Sequence, residues 1–272
     1  MAEEGGGERN IARRSAASGD VELFATWFCP YAQRAWIALE HKQVPYAWRE
    51  CVLYEGDPST KVPLPLPKKG EASPPGFLEA SPRGLVPGLR HGEQRACDSI
   101  PLVEYIDEAF CEPGAPPLLP PGDPAERARV RAGVLLWAEL VIRKYYSLLM
   151  AQDEGARAEQ RNALYEGLRT MADSYFDARG PFFSAAGFGY FEACALPWYQ
   201  RMHVVLGAYR KFELPEGPAF DRLREWHKAC LGVPAFANTV VSEERLVRNN
   251  TGYADGTGTS NCAQLMVGKK PS

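Results

Sequence analysis

Cys29 is the residue of this 272-residue chain best placed to do chemistry. It lies in FATWFCPYAQRAW, residues 24–36, where a short apolar strand passes through Cys29-Pro30-Tyr31 into a helical pattern. Proline is tolerated in a first helical turn, so Cys29 falls where a helix begins. The free N–H groups and the dipole of such a terminus favour an anion. A thiol there should ionise readily. At a pKa near ~8.5 only about 3 % is thiolate at neutral pH, whereas a shift to ~5.5 makes it mostly thiolate. The alternative reading is a buried structural cysteine. What stands three positions on decides the chemistry. A local redox pair would have a second cysteine there; this chain has Ala32. A mixed disulfide on Cys29 therefore has no neighbouring thiol to close on and must be released by a second thiol from solution.

Two further stretches could complete a site. Val86-Pro87 opens a strand after Gly84-Leu85. If its bond is cis, the bend exposes the N–H and C=O of Val86 to an extended peptide ligand; if trans, Pro87 is an ordinary edge proline. Asp98-Ser99 precedes a helix. Ser99 reads as its cap, the common structural role. In the functional reading a ligand carboxylate sits at this helix terminus with the Ser99 hydroxyl donating to it, and Asp98 pairs with a ligand ammonium. A group carrying both charges is the end of an amino acid, such as a γ-glutamyl.

The elements that must hold these residues can be read from period and punctuation. Val21–Trp27 partly alternates as a strand, a helix follows to about Lys42, and VPYAWRECVL (44–53) is a second strand. Six prolines between Pro58 and Pro75 mark an extended surface loop. GLVPGLRHG and QRACD form a hairpin, and SIPLVEYIDEAF a helix. The order β-α-β, loop, β-β-α is that of a thioredoxin-like α/β domain. A Pro-rich linker then leads to helical stripes: Val130, Val134, Trp137, Val141, Tyr145 and Leu148; Leu164, Leu168, Met171 and Tyr175; Phe191, Cys194, Trp198, Met202, Val205 and Tyr209; Leu223, Trp226 and Cys230. This half reads as an all-α bundle. Pro197 should kink or break its helix, and Gly189 with Glu192 should cap the start of it. The expected boundaries are a flexible tail at 1–19, the first domain at 20–110 with a Pro-rich insertion at 55–76, a linker at 111–123, the helical domain at 124–248 and a C-terminal tail at 249–272.

Composition narrows the functional classes. A net charge of −3 without a dense Lys/Arg block argues against nucleic acid or an acidic membrane surface as a partner. No apolar run is long enough to span a bilayer, and the N-terminus has no secretory apolar region. Seven scattered cysteines without C-x-x-C spacing suggest neither a disulfide framework nor a zinc site. No metal is expected, and a cytoplasmic, reducing location fits best. Asn249-Asn250-Thr251 matches a glycosylation sequon that carries little meaning without a secretory signal.

FCPYAQRAWIALEHKQVPY, ASPRGLVPGL, DSIPLVEYIDEAF, DPAERARVRAGVLLWAEL and GPFFSAAGFGYFEACALPWYQRM, in this order across Val21–Arg248, resemble a glutathione transferase. The closer likeness is to the omega class and its fungal and bacterial relatives, which carry a catalytic cysteine. The resemblance implies a glutathione transferase fold, a glutathione site in the first domain and a hydrophobic-substrate site between domains. It makes Cys29 the residue that forms a mixed disulfide with glutathione. Val86, beside Pro87, would pair with the cysteinyl backbone of glutathione. Asp98, where the family usually has Glu, and Ser99 would hold the γ-glutamyl end. Lys69 is the best match for a family lysine, while Tyr31 and Tyr253 would belong to the second-substrate site. The implied partners are glutathione, a small hydrophobic or disulfide substrate and a second copy in a homodimer. The implied activity is thiol transfer and reduction, with dehydroascorbate reduction as a related one. The alternatives are conjugation or cleavage of an electrophile, with Tyr31 or Thr26 stabilising the glutathione thiolate, and a non-catalytic ligand carrier.

Overall fold

The computed structural model describes residues 5–17, 19–176 and 179–260. Of these, one compact unit takes the residues within Met1–Leu53, Leu64–Gly122 and Cys230–Ser242; the other takes those within Tyr54–Pro63, Asp123–Ala229 and Glu243–Ser272.

The first unit is built on a four-stranded sheet. Its elements are α1 (Gly6–Ser15), β1 (Val21–Ala25), α2 (Pro30–His41), β2 (Ala47–Glu50), α3 (Leu66–Ala72), α4 (Phe77–Ala80), β3 (Gly88–His91), β4 (Gln94–Cys97) and α5 (Ser99–Ala109). Strand order is β2-β1-β3-β4, with β1 parallel to β2 and antiparallel to β3. All five residues of β1 are buried, as expected of a central strand covered on both faces. Glu22 is accommodated there because Arg49 and Arg90 donate to its two oxygens at 2.9 and 2.6 Å. Helices α2 and α5 pack together, and the Trp36 and Trp48 rings meet at 4.7 Å.

Two expectations fail in this unit. The N-terminal segment is not a free tail: α1 docks through Asn10, whose oxygen accepts from Trp36 Nε1 and Tyr46 OH, each at 3.1 Å. The 55–76 stretch is not one extended loop. Its second half folds as α3, with proline in the first turn, where no N–H is needed. The Pro-rich linker is partly anchored, since Asp107 accepts from the N–H groups of Leu118 and Leu119 and pairs with buried Lys42. Residues of the third segment close the unit: Gln33 donates to Thr239, and Gly7 N–H to the Val240 carbonyl.

The second unit is helical. Its helices are α6 (Pro124–Trp137), α7 (Arg143–Met150), α8 (Glu154–Ser174), α9 (Tyr190–Arg201), α10 (Gly207–Arg210), α11 (Pro218–Leu231), α13 (Glu243–Asn249) and α14 (Thr251–Ala254), the short α12 (Pro234–Ala237) belonging to the first unit. Two π-helical turns, Ala138–Ile142 and Met202–Leu206, join α6 to α7 and α9 to α10. Gly167 lets the Leu140 carbonyl of the first π turn approach α8 at a distance no Cβ would allow. Pro197 does not end α9, which continues to Arg201. At its start Glu192, fully buried, accepts from Phe183 N, Gly189 N and Trp226 Nε1. Burial raises its pKa, against the pull of these bonds. Around it Trp137, Phe176, Phe183, Phe191, Tyr199 and Trp226 form one aromatic core, with Phe183 stacked on Phe191 at 3.7 Å.

Residues 54–63 belong to this unit as a closed loop around the 3₁₀ turn Pro58–Thr60, with Glu55 N–H on the Val62 carbonyl. Lys61 in the loop is buried at 2 % exposure, donates to Asn249 and faces the rings of Tyr54 and Tyr253. The start of the expected C-terminal tail is thus packed: α14 holds Gly252 against the carbonyls of Ser59 and Thr60. The rest of that tail, with Cys262, lies outside the described residues.

Asn10→Ala leaves the buried Trp36 Nε1–H without its acceptor, while Tyr46 OH keeps Glu40 at 2.9 Å. It should lower unfolding free energy by about 2 kcal/mol in urea titration. His227 on α11 stacks with His203 at 5.5 Å; burial, and then His203, lower its pKa to about 4. Between pH 6.5 and 4 the unfolded chain takes this proton and the folded chain does not. Stability present above pH 6.5 should therefore fall as pH drops towards 4, by about 3 kcal/mol from this group. His227→Gln should flatten that part of a stability-versus-pH curve.

Candidate active site

The sheet register brings the site residues to one edge. Phe24 of β1 is opposite Gly88 of β3, and Gly88 is opposite Cys97 of β4. Past this rung β1 runs on towards Cys29, β3 is entered from Val86-Pro87, and β4 leaves into Asp98-Ser99. Three stretches distant in sequence therefore meet at the same end of the sheet.

Cys29 is the residue immediately before α2, with extended backbone, and Pro30 occupies the first turn. Its N–H donates to the Thr26 carbonyl at 3.1 Å, and its own carbonyl accepts from Gln33. The loop before it is fixed from β2: Glu50 accepts from Trp27 N–H at 3.2 Å and from Trp48 Nε1 at 2.7 Å. The Cys29 side chain is half-buried, and Ala32 is fully buried. Cys51, Cys194 and Cys230 are core residues, and burial pushes the Cys51 thiol well up. The Thr26 hydroxyl is buried without a hydrogen-bond partner among the described residues.

The Val86-Pro87 bond is cis, and neither the N–H nor the C=O of Val86 makes a backbone hydrogen bond among the described residues. Ser81 shapes the approach, its hydroxyl bonding both the carbonyl and the N–H of Leu85. Gly84 in that turn has φ +59, and a Cβ there would lie 2.6 Å from Leu66 and 3.2 Å from the Lys69 stem. Lys69 is thereby held close to the turn, on α3; burial lowers its pKa.

Asp98 and Ser99 depart from the expected capping. Asp98, not Ser99, is the residue before α5; it has φ +66, and neither side chain caps the helix. A side-chain-bearing residue rarely adopts that backbone. The Asp98 carboxylate instead accepts from Arg83 at 2.5 Å. Ser99 is buried, and its oxygen accepts from Arg34 of α2 at 3.1 Å. With one lone pair so used, the hydroxyl proton is free to point elsewhere. Arg34 and Arg83 are the partners of Ser99 and Asp98 that sequence reasoning missed. Their signals were a charge inside the apolar helix run AQRAWIAL and a cation in the turn SPRGL.

The two second-substrate candidates belong to different units. Tyr31 lies under the Arg34 guanidinium at 5.5 Å. Tyr253 belongs to the helical unit and is buried there, with its hydroxyl 2.7 Å from Ser260 Oγ and its ring against Tyr146. No group of three metal-ligating side chains occurs among the described residues, and no described helix is long and apolar enough to cross a membrane.

A thioredoxin-like α/β unit with a mixed four-stranded sheet, together with a helical unit, is the glutathione transferase fold. Residues 23–114 match the family described as "Glutathione S-transferase, N-terminal domain". "Glutathione S-transferase U16" of Arabidopsis thaliana is 30 % identical over 201 residues, covering 71 % of this chain and 75 % of that one. "Probable glutathione S-transferase DHAR2, chloroplastic" of Oryza sativa subsp. japonica is 24 % identical, covering 80 % and 68 %. The solved structure of glutathione transferase Omega 3C from Trametes versicolor is similar with a TM-score of 0.75 at 28 % identity, covering 93 % of this chain and 97 % of that one. The chain belongs to the glutathione S-transferase family.

Gly84→Ala must strain a left-handed backbone and displace Leu66 or Lys69. A loss of about 1–2 kcal/mol is expected in chemical denaturation.

Proposed function

We propose that the protein is a glutathione-dependent thiol transferase and reductase of the cysteine type, acting through a glutathionyl mixed disulfide on Cys29. The observation that carries this reading is Cys29 at the start of α2, followed by Pro30 and with buried Ala32 where a resolving cysteine would stand. In the first step the Cys29 thiolate attacks the glutathione sulfur of a mixed disulfide. The Cys29–glutathione S–S bond forms, the old S–S bond breaks, and the substrate leaves as a thiolate that takes a proton from water. In the second step the thiolate of free glutathione attacks the same glutathione sulfur. Glutathione disulfide leaves, and Cys29 is again a thiolate. The low pKa of a thiol at a helix N-terminus favours it both as attacking group and as leaving group.

The neighbouring groups suit glutathione binding. The open N–H and C=O of Val86 would pair with the cysteinyl backbone. Asp98 and Ser99 would take the γ-glutamyl end, and Lys69 supplies a cation beside the same turn. The relatives named for the DHAR and omega types support this reading, and with it dehydroascorbate as a substrate. The homodimer usual for the family fits the exposure of Leu135 on α6. A conjugating transferase is the second reading, favoured by the similarity to Glutathione S-transferase U16 and by the unpartnered Thr26 hydroxyl near Cys29.

The test is to incubate the protein with oxidised glutathione and weigh it intact. A gain of one glutathionyl group, reversed by reduced glutathione and absent in Cys29→Ser, is expected. Cys29→Ser should also lose at least a hundredfold of thiol transferase activity. Full activity in Cys29→Ser would rule the cycle out, and conjugation of an aryl halide surviving in that variant would favour the second reading.

A further inference from the structure

We propose that Arg83 is a ligand-binding residue of this site: its guanidinium takes the α-carboxylate of the γ-glutamyl group while Asp98, its ion-pair partner, takes the ammonium. The proposal rests on the glutathione reading above and names the group that gives its amino-acid end specificity.

An α-amino acid end carries opposite charges on one carbon, so its receptor must present opposite charges side by side. Arg83 and Asp98 do so, with Nη2 2.5 Å from Oδ1 and side-chain exposures of 65 and 58 %. An ion pair this open to water adds little to folding. Both heads remain within reach of a ligand, and covering them would strengthen their interactions by excluding water. The backbone at Asp98 agrees. With φ +66 and no capping bond, its carboxylate faces Arg83 and does not close the start of α5. That terminus, on an eleven-residue helix, remains open to an anion. Beside it the Ser99 oxygen already accepts from buried Arg34, so the Ser99 proton is available to the same carboxylate. The site thus offers a cation, a hydroxyl donor and a helix terminus for the carboxylate, and one carboxylate for the ammonium. When the ligand arrives, Asp98 exchanges part of its contact with Arg83 for the ammonium, and Arg83 gains the ligand carboxylate. A guanidinium suits this double role because its planar fork can serve two oxygens at once.

A second role is conceivable for Arg83, that of merely steadying Asp98, and ligand analogues separate the two. Binding is measured by calorimetry on the full chain, wild type and Arg83→Met, with three probes. These are reduced glutathione, the analogue lacking the α-carboxylate (γ-aminobutyryl-Cys-Gly) and the analogue lacking the ammonium (glutaryl-Cys-Gly). Arg83→Met should bind glutathione about tenfold more weakly, with an unchanged thermal midpoint. It should lose affinity for the ammonium-free analogue as well. It should bind the carboxylate-free analogue as tightly as the wild type or more tightly, because Asp98 is then relieved of its competitor. Arg83→Lys should recover part of the loss. Equal glutathione binding by wild type and Arg83→Met overturns the proposal alone. So does a loss that persists with the carboxylate-free analogue and vanishes with the ammonium-free one. A wild-type protein that does not bind glutathione overturns the functional reading itself.

Discussion

The antiparallel register of β1 with β3 is the constraint on which the rest of the site depends. Because Phe24 faces Gly88, and Gly88 faces Cys97, the chain brings a cysteine, a cis-proline turn and an acidic helix start to one sheet end. A slip of one residue would turn every side chain of β1 to the opposite face. The slip is resisted by burial on both sides of β1 and by Glu22, whose oxygens are held from two neighbouring strands at once. The chemistry at the edge is therefore positioned by apolar packing and by one buried ionic cluster well inside the sheet.

Much of this was legible because it has a short-range cause. Cys29-Pro30 marks a helix start by proline's own geometry, and the helical stripes predicted their buried faces through Val130, Trp137, Val141, Leu164, Leu168, Trp198 and Trp226. The missed features have long-range causes. A stripe from Val130 to Leu148 averages about 3.6 residues per step, which conceals a π turn. Helix α1 appears polar in sequence, and what docks it is an amide meeting Trp36 and Tyr46, residues that only the fold places together. Proline density suggested irregular chain at 55–76, yet Pro65 and Pro67 flank the first turn of α3, where proline is harmless. The capping reading of Ser99 failed because α5 starts one residue earlier, with Asp98 before it and Ser99 already in the first turn, where its oxygen accepts from Arg34 of another helix.

The helical unit handles buried charge by giving it to the backbone. Arg210 is buried and donates to the carbonyls of Leu148, Leu149 and Ala254, so it closes α7 and fastens α14 together. Glu192 accepts two backbone N–H groups and an indole. Lys61, in a left-handed conformation, lies between two tyrosine rings. Each ties segments far apart in sequence; an apolar side chain would leave main-chain groups unsatisfied at Arg210 and Glu192, and the Asn249 side-chain oxygen unsatisfied at Lys61.

The two units do not divide the chain at a single place. It passes from one to the other after residues 53, 63, 122, 229 and 242. During synthesis from the N-terminus the sheet, complete in its strands by residue 97, must still wait for residues 230–242 to cover α2, while the loop at 54–63 waits for residues 249–259. Neither unit can reach its final packing on a ribosome that has released only the first half of the polypeptide. The Pro-rich linker resembles a seam, but cutting there would leave both fragments short of residues they bury.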